Sequence, residues 1–247
     1  AVVFSMLGLS AYAADGELVP RGESAAIEEV VQLIKKTVQE SYEKTGQAGR
    51  DVHRKAHGCV KADFAVQDGL SPALKQGLFA VPETYPAVIR FSNGSPDVKD
   101  DHDGDGRGFA IKILNVEGER LETDAGEERR TQDFLMINHP VFFVRNAADY
   151  VSFQQAVTNG GLVWWLLNPF RVLHESRIAL AIQQTKMVNP LEARYWSMAA
   201  SKLGPKQMKF SVIPCTAVAA RNPSDSVDRL GENLAAHLKK QTACFDF

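Results

Sequence analysis

With 247 residues, 45% of them apolar and 23% charged, the chain is long enough to bury a full core as one large domain or two small ones. A net charge of −2 sets up no field that would draw nucleic acid or an anionic membrane. Three cysteines (Cys59, Cys215 and Cys244) are too few and too far apart for a disulfide-built scaffold; one disulfide is allowed, though nothing in the spacing requires it.

Ala1–Ala13 is apolar and ends in Ala11-Tyr12-Ala13, small residues of the kind a signal peptidase reads, with Asp15 following at once. The expectation is a partial signal peptide over 1–13 and a protein exported to the periplasm or the medium. At about 12 apolar residues the run is too short to span a bilayer as a helix. Residues 14–49 read as a helical arm, in which Ile27, Val30, Val31, Ile34 and Val38 form one apolar stripe. Gly46 to Gly49 releases the chain into extended structure. Cys59–Val66, Tyr85–Ser92 and Arg107–Leu114 are rich in β-branched and aromatic residues, with turns expected at Asn93-Gly94 and Asp103–Gly106.

Glu117–Arg130 reads as a charged loop, Phe134–Asn138 as a short strand, and a helix is expected from Asn146, with Tyr150, Phe153 and Val157 on one face. Leu162–Gln184 is apolar but is broken at Pro169 and interrupted by Arg171, His174, Glu175 and Arg177, so no membrane span is expected there. Lys209–Pro214 returns to strand, Ser226–Lys240 reads as a helix, and Thr242–Phe247 begins a strand-like alternation. Strands, then helices, then strands again predict an α+β protein built on an antiparallel sheet or barrel.

Some residues suggest chemistry by spacing alone. His53 and His57 lie four apart with Cys59 close by, but the segment leads into a strand and lacks the partner pair that zinc needs. Asp101, Asp103 and Asp105 copy the first half of a calcium loop. Its decisive twelfth position is Lys112 rather than Glu, which favours a solvated acidic turn.

Four segments in order carry a more specific message. Arg50-Asp51-Val52-His53-Arg54-Lys55-Ala56-His57-Gly58 resembles the distal-histidine segment of catalases. Tyr85–Ser92, with its Arg-Phe-Ser, resembles the strand that follows it. Arg107-Gly108-Phe109-Ala110-Ile111-Lys112 is similar to the family's Arg-Gly-Phe-Ala-x-Lys strand, and Asn138–Arg145 to its Asn-x-Pro-x-Phe-Phe stretch. The resemblance implies a catalase-type antiparallel β-barrel with surrounding helices, a haem b cofactor (iron), and hydrogen peroxide or an organic hydroperoxide as substrate. Residues 50–247 would form the haem domain, possessing neither a nucleic-acid partner nor a membrane span and able to form a homo-oligomer.

Carried over, His53 would be the acid–base that moves a proton between the oxygens of peroxide, a task suited to neutral imidazole. Ser92 would fix its tautomer and Asn138 would donate to the bound peroxide. Arg50, Arg90 and Arg107 would serve haem binding, the first two at the propionates, with Val52 and Phe143 as apolar walls. His57 stands where the family has a small residue, which leaves it open as a second candidate for the distal base. Catalases bind iron through a Tyr in an Arg-x-x-x-Tyr setting. Tyr12, Tyr42, Tyr85, Tyr150 and Tyr195 all lack it, so the resemblance implies a ligand beyond Phe247, a barrel missing its C-terminal part, and little activity from these residues alone. The alternatives are a hydroperoxide isomerase, disfavoured by Val52 where that branch has Thr, a non-catalytic haem-binding exported protein, and an export module stabilised by calcium.

Overall fold

A computed structural model describes residues 12–13, 17–118, 130–170, 172–218 and 225–247; most of the apolar start and of the charged loop after Glu117 lie outside them. In chain order the elements are β1 (Tyr12–Ala13), β2 (Glu17–Leu18), α1 (Glu23–Thr45), β3 (Ala56–Ala65), β4 (Thr84–Asn93), β5 (Arg107–Leu114) and β6 (Thr131–Ile137). There follow α2 (Ala147–Thr158), α3 (Leu162–Leu167), α4 (Arg177–Gln183), β7 (Tyr195–Ser197), β8 (Ser201–Leu203), β9 (Lys206–Met208), β10 (Ser211–Pro214), α5 (Arg229–Leu238) and β11 (Phe245–Asp246). No helix among the described residues is long and apolar enough to cross a membrane.

The chain divides into two compact units. The first joins the segment up to Gly49 with Phe143–Ser176. Its helix α1 ends where Gly46 adopts a left-handed conformation (φ +67°) and donates its N–H to the Tyr42 carbonyl, as a helix-ending glycine does. The apolar stripe of α1 is only half-buried, and Ile27 is exposed. Asn146 caps α2 by accepting the Asp149 N–H at 2.9 Å. Inside this unit Phe143, Phe153 and Trp165 stack edge to face, and Glu175, 1% exposed, pairs with Arg145 at 2.9 Å.

The second unit, Arg50–Phe142 with Arg177–Phe247, holds the main sheet. Seven antiparallel strands run in the order β11-β10-β7-β6-β5-β4-β3, curled into a half-barrel whose end strands are β3 and β11. Neighbours in the sheet are mostly neighbours in sequence, so long hairpins build most of it. Phe91 and Phe109 face each other across β4 and β5 and pack on Tyr195 and Phe245; Phe64, Phe79, Phe134, Phe210 and Phe247 form a second aromatic cluster. Helix α5 lies close on β3: a Cβ on Gly58 would stand 2.9 Å from Leu234, and one on Gly231 would stand 2.8 Å from the His57 carbonyl.

The strand expected from Cys59 starts three residues earlier, at Ala56, and is irregular there. Ala56 pairs with Ser92 and Gly58 with Phe91, which makes His57 the extra residue of a β-bulge. Cys215 and Cys244 form a disulfide across β10 and β11, and Cys59 is free and exposed.

Candidate functional site

In an antiparallel meander the start of β3, the end of β4, the start of β5 and the end of β6 fall at the same edge of the sheet. The segment before β3 brings His53 there, β4 brings Ser92 and Asn93, β5 brings Arg107 and Gly108, and Asn138 follows β6 directly. Residues remote in sequence are thereby gathered by strand register alone.

His53 has φ +56°, a left-handed conformation that is uncommon outside glycine and frequent at functional sites. It is held from several sides. Its N–H donates to the Gly94 carbonyl (3.1 Å), its carbonyl accepts from Arg90 Nη2 (2.7 Å), and its Nδ1 lies 3.0 Å from Ser92 Oγ. The ring stands over Gly108, where a Cβ would come within 2.6 Å of Nδ1 and of Ser92 Oγ. Only glycine therefore leaves room for the imidazole on β5. Burial depresses the His53 pKa below the ordinary imidazole range, and the nearby Arg90 and Arg50 push the same way. A hydrogen bond to the Asn93 backbone and the Asp105 carboxylate oppose the shift without reversing it, so the ring is neutral at pH 7.

Asn138 is tied to the same strand end. Its N–H donates to the Arg107 carbonyl at 3.0 Å, and its Oδ1 accepts the Arg107 N–H at 2.7 Å. The amide orientation is therefore fixed, and Nδ2 is a buried donor with no hydrogen-bond partner among the described residues. An orphan donor of this kind is costly to leave unmade, and it is where a ligand oxygen would be bound.

Arg50 is exposed, and its charge reaches both His53 and Arg90, so two guanidiniums share one neighbourhood. Val52 is 39% exposed beside them in sequence. Phe143 belongs to the first compact unit, in its aromatic stack. Arg107, 1% exposed, turns its guanidinium into the sheet: Nη1 donates to Asn93 Oδ1, and Nη2 donates to the carbonyls of Asp103 (2.9 Å) and Asp101 (3.5 Å).

The acidic run is solvated only in part: Asp103 is exposed, while Asp101 and Asp105 turn inward. Asp101 and Asp105 are 0% and 1% exposed. Asp101 pairs with Lys55 Nζ at 2.9 Å and accepts the Leu230 N–H at 2.9 Å, while Asp105 accepts the Ser95 N–H at 3.0 Å. The Asp101 bond to Leu230 ties the loop between β4 and β5 to the start of α5, while Asp105 Oδ1 is left without a hydrogen-bond partner among the described residues. Lys55 also pairs with Asp228; burial works against its charge, but the two carboxylates outweigh burial and hold the ammonium above the ordinary lysine range.

His57 belongs to this polar core. Its ring, 1% exposed, sets Nε2 2.8 Å from Asn93 Oδ1 and Nδ1 3.7 Å from Asp101 Oδ2. The zinc grouping of His53, His57 and Cys59 does not form, because His53 binds Ser92, His57 turns inward to Asn93, and the Cys59 side chain is exposed on β3. Sequence reasoning passed over Asn93 as a turn residue and Gly108 as motif filling. The signal for Gly108 was its place inside the quoted motif, and for Asn93 none stood out.

The neutral, anchored His53, the orphan donor of Asn138 and the paired guanidiniums of Arg50 and Arg90 fit the distal and carboxylate contacts of a haem peroxide site. The described tyrosines do not fit the iron-ligand role. Tyr195 is fully buried with its hydroxyl donating to the Pro190 carbonyl (2.7 Å), and Tyr85 donates to Glu83 (2.8 Å). Burial pushes both phenols up, away from the phenolate that ligation needs. Tyr42 is exposed on α1 and Tyr150 stacks on Phe153.

The catalase family matches residues 18–160, more than half of the chain, and the chain belongs to that family. A bacterial catalase structure superposes with a TM-score of 0.59 at 16% identity over 97% of this chain and 46% of the other; for a fungal catalase the figures are 0.57, 16%, 97% and 47%. At that identity the likeness is one of fold, and the chain spans less than half the length of either structure. No curated protein sequence matches it.

Proposed function

We propose that the chain carries the distal half of a haem-dependent, peroxide-consuming site, with His53 as its acid–base. The observation that carries this reading is the pairing at one sheet edge of a neutral imidazole, held by Ser92 and seated on Gly108, with the unpartnered Nδ2 of Asn138. Bound haem would supply the redox iron at which the O–O bond of peroxide is broken. His53 takes a proton from one peroxide oxygen and returns it to the other, which a neutral ring can do near pH 7. Asn138 Nδ2 donates to the peroxide and orients it. Arg50 and Arg90 pair with the cofactor's carboxylates, and Val52 contributes an apolar edge.

A second reading is haem binding without turnover. Titrating the full chain with haem separates the two. A Soret band with peroxide-dependent oxygen release, abolished in His53→Ala, supports the enzyme; a Soret band without turnover supports the carrier; no Soret band overturns both. The apolar start of the sequence and the Cys215–Cys244 disulfide also support export to an oxidising compartment, which cell fractionation tests.

A further inference from the structure

His57 occupies the bulge at the start of β3, and a bulge re-aims the side chain it carries. Here the ring points into the sheet at Asn93, which is 0% exposed. The protonation pattern follows from the partners. Arg107 has donors only, so the atom of Asn93 it meets must be the carbonyl oxygen Oδ1. His57 meets that same oxygen, so its Nε2 must carry the proton and donate. Nδ1 is then the bare nitrogen, turned toward the Asp101 carboxylate at 3.7 Å, too far for a hydrogen bond.

Asn93 is also what links this core to His53. Its backbone hydrogen-bonds the His53 ring, its N–H donates to the Lys55 carbonyl at 2.9 Å, and it directly follows Ser92, which meets His53 Nδ1. One residue therefore takes its side-chain orientation from His57 and Arg107 and passes its backbone position to His53.

We propose that His57 is a positioning residue for His53: by donating from Nε2 to Asn93 Oδ1 it fixes the Asn93 backbone, and with it the tautomer and seat of the His53 ring. The inference rests on the reading of His53 as acid–base, and it removes His57 as a rival for that role, since both ring nitrogens face the polar core. The charged groups around the ring are Asp101, Arg107 and Lys55, with Asp228 and Arg229 behind them at the start of α5. Burial holds the His57 pKa below the ordinary range against the pull of Asp101.

The test uses the full chain with 15N-labelled histidine and long-range 1H–15N correlation spectra, which report ring tautomers without haem or turnover. In the wild-type protein His57 shows the neutral Nε2–H form at pH 8 and gains its second proton only below the ordinary imidazole range; the Nδ1–H form, or ordinary titration near pH 6.5, overturns the proposal without any variant. His57→Gln keeps an N–H donor at the site, whereas His57→Leu fills the space without one. The expected result is a single His53 tautomer in the wild type and in His57→Gln, and a mixture of tautomers in His57→Leu. A His53 tautomer unchanged in both variants, or lost in both, sinks the proposal. Absence of peroxide turnover alongside the expected spectra would remove the acid–base reading and leave the coupling of the two rings standing.

Discussion

The left-handed backbone of His53 costs about 1–2 kcal/mol, and its bonds to Gly94, Arg90 and Ser92 offset that cost. Gly108 is the least replaceable of its supports. Gly108→Ala would press a methyl within 2.6 Å of Nδ1 and of Ser92 Oγ, so the imidazole must leave its seat. The expected outcome is a loss of about 1–3 kcal/mol of stability in urea titration together with a displaced His53 signal in the spectra. Asp101→Asn tests the polar core instead. It leaves Lys55 buried beside a neutral amide and weakens the anchor of the Leu230 N–H, so a loss of about 3 kcal/mol is expected from the shift in the urea midpoint. A loss below about 1 kcal/mol would mean that Asp228 alone suffices to hold the ammonium.

Among the elements, β11 is two residues long, yet it delivers Phe245 against Phe109 and leads into Phe247 among Phe64, Phe134 and Phe210. The Cys215–Cys244 disulfide closes this strand onto β10 over a separation of 29 residues. Loop-closure entropy puts its contribution at about 3–4 kcal/mol. Thermal melting of Cys244→Ser, or of the wild type with a dithiol reductant, should show a loss of that order; an unchanged midpoint would mean that the aromatic contacts hold β11 unaided. The long strands β4 and β5 were legible in the sequence because alternation and β-branched residues agree over a full strand length, whereas only the apolar half of β6, from Phe134, stood out. Strands β7, β8 and β9, three residues each, carry too short a pattern, and the bulge at His57 leaves no periodic mark at all.

At the scale of the whole molecule, His53 and His57 make stability depend on pH. Both are held neutral in the folded state with pKa values below the unfolded value of about 6.5. Unfolding exposes rings that bind protons more readily, so their effect on stability is absent above that value. As pH falls through about 6.5 stability is lost, by at most about 1.4 kcal/mol per pH unit for each ring. Urea midpoints from pH 8 to pH 5 should be flat and then fall, and His57→Gln should shallow the decline. The parts of the candidate site that sequence reasoning found, namely His53, Ser92, Arg90 and Asn138, lie in motifs that a family resemblance makes readable. The polar core was not readable, because Lys55 meets Val227 across 172 residues and Asp101 meets Leu230 across 129; an acidic run looks the same in sequence whether water or a lysine neutralises it.

The bond from Arg90 Nη2 to the His53 carbonyl has a consequence for ligand binding. The guanidinium has five N–H donors, so a carboxylate that engages Arg90 can hold it in place while the His53 carbonyl keeps its bond, and so bears on the posture of the base. Linkage makes the relation reciprocal: whatever locks His53 in its left-handed form strengthens the carboxylate's hold by the same factor. Occupancy of the anion position and readiness of the base would then be two measures of one coupling free energy, separated by a single guanidinium.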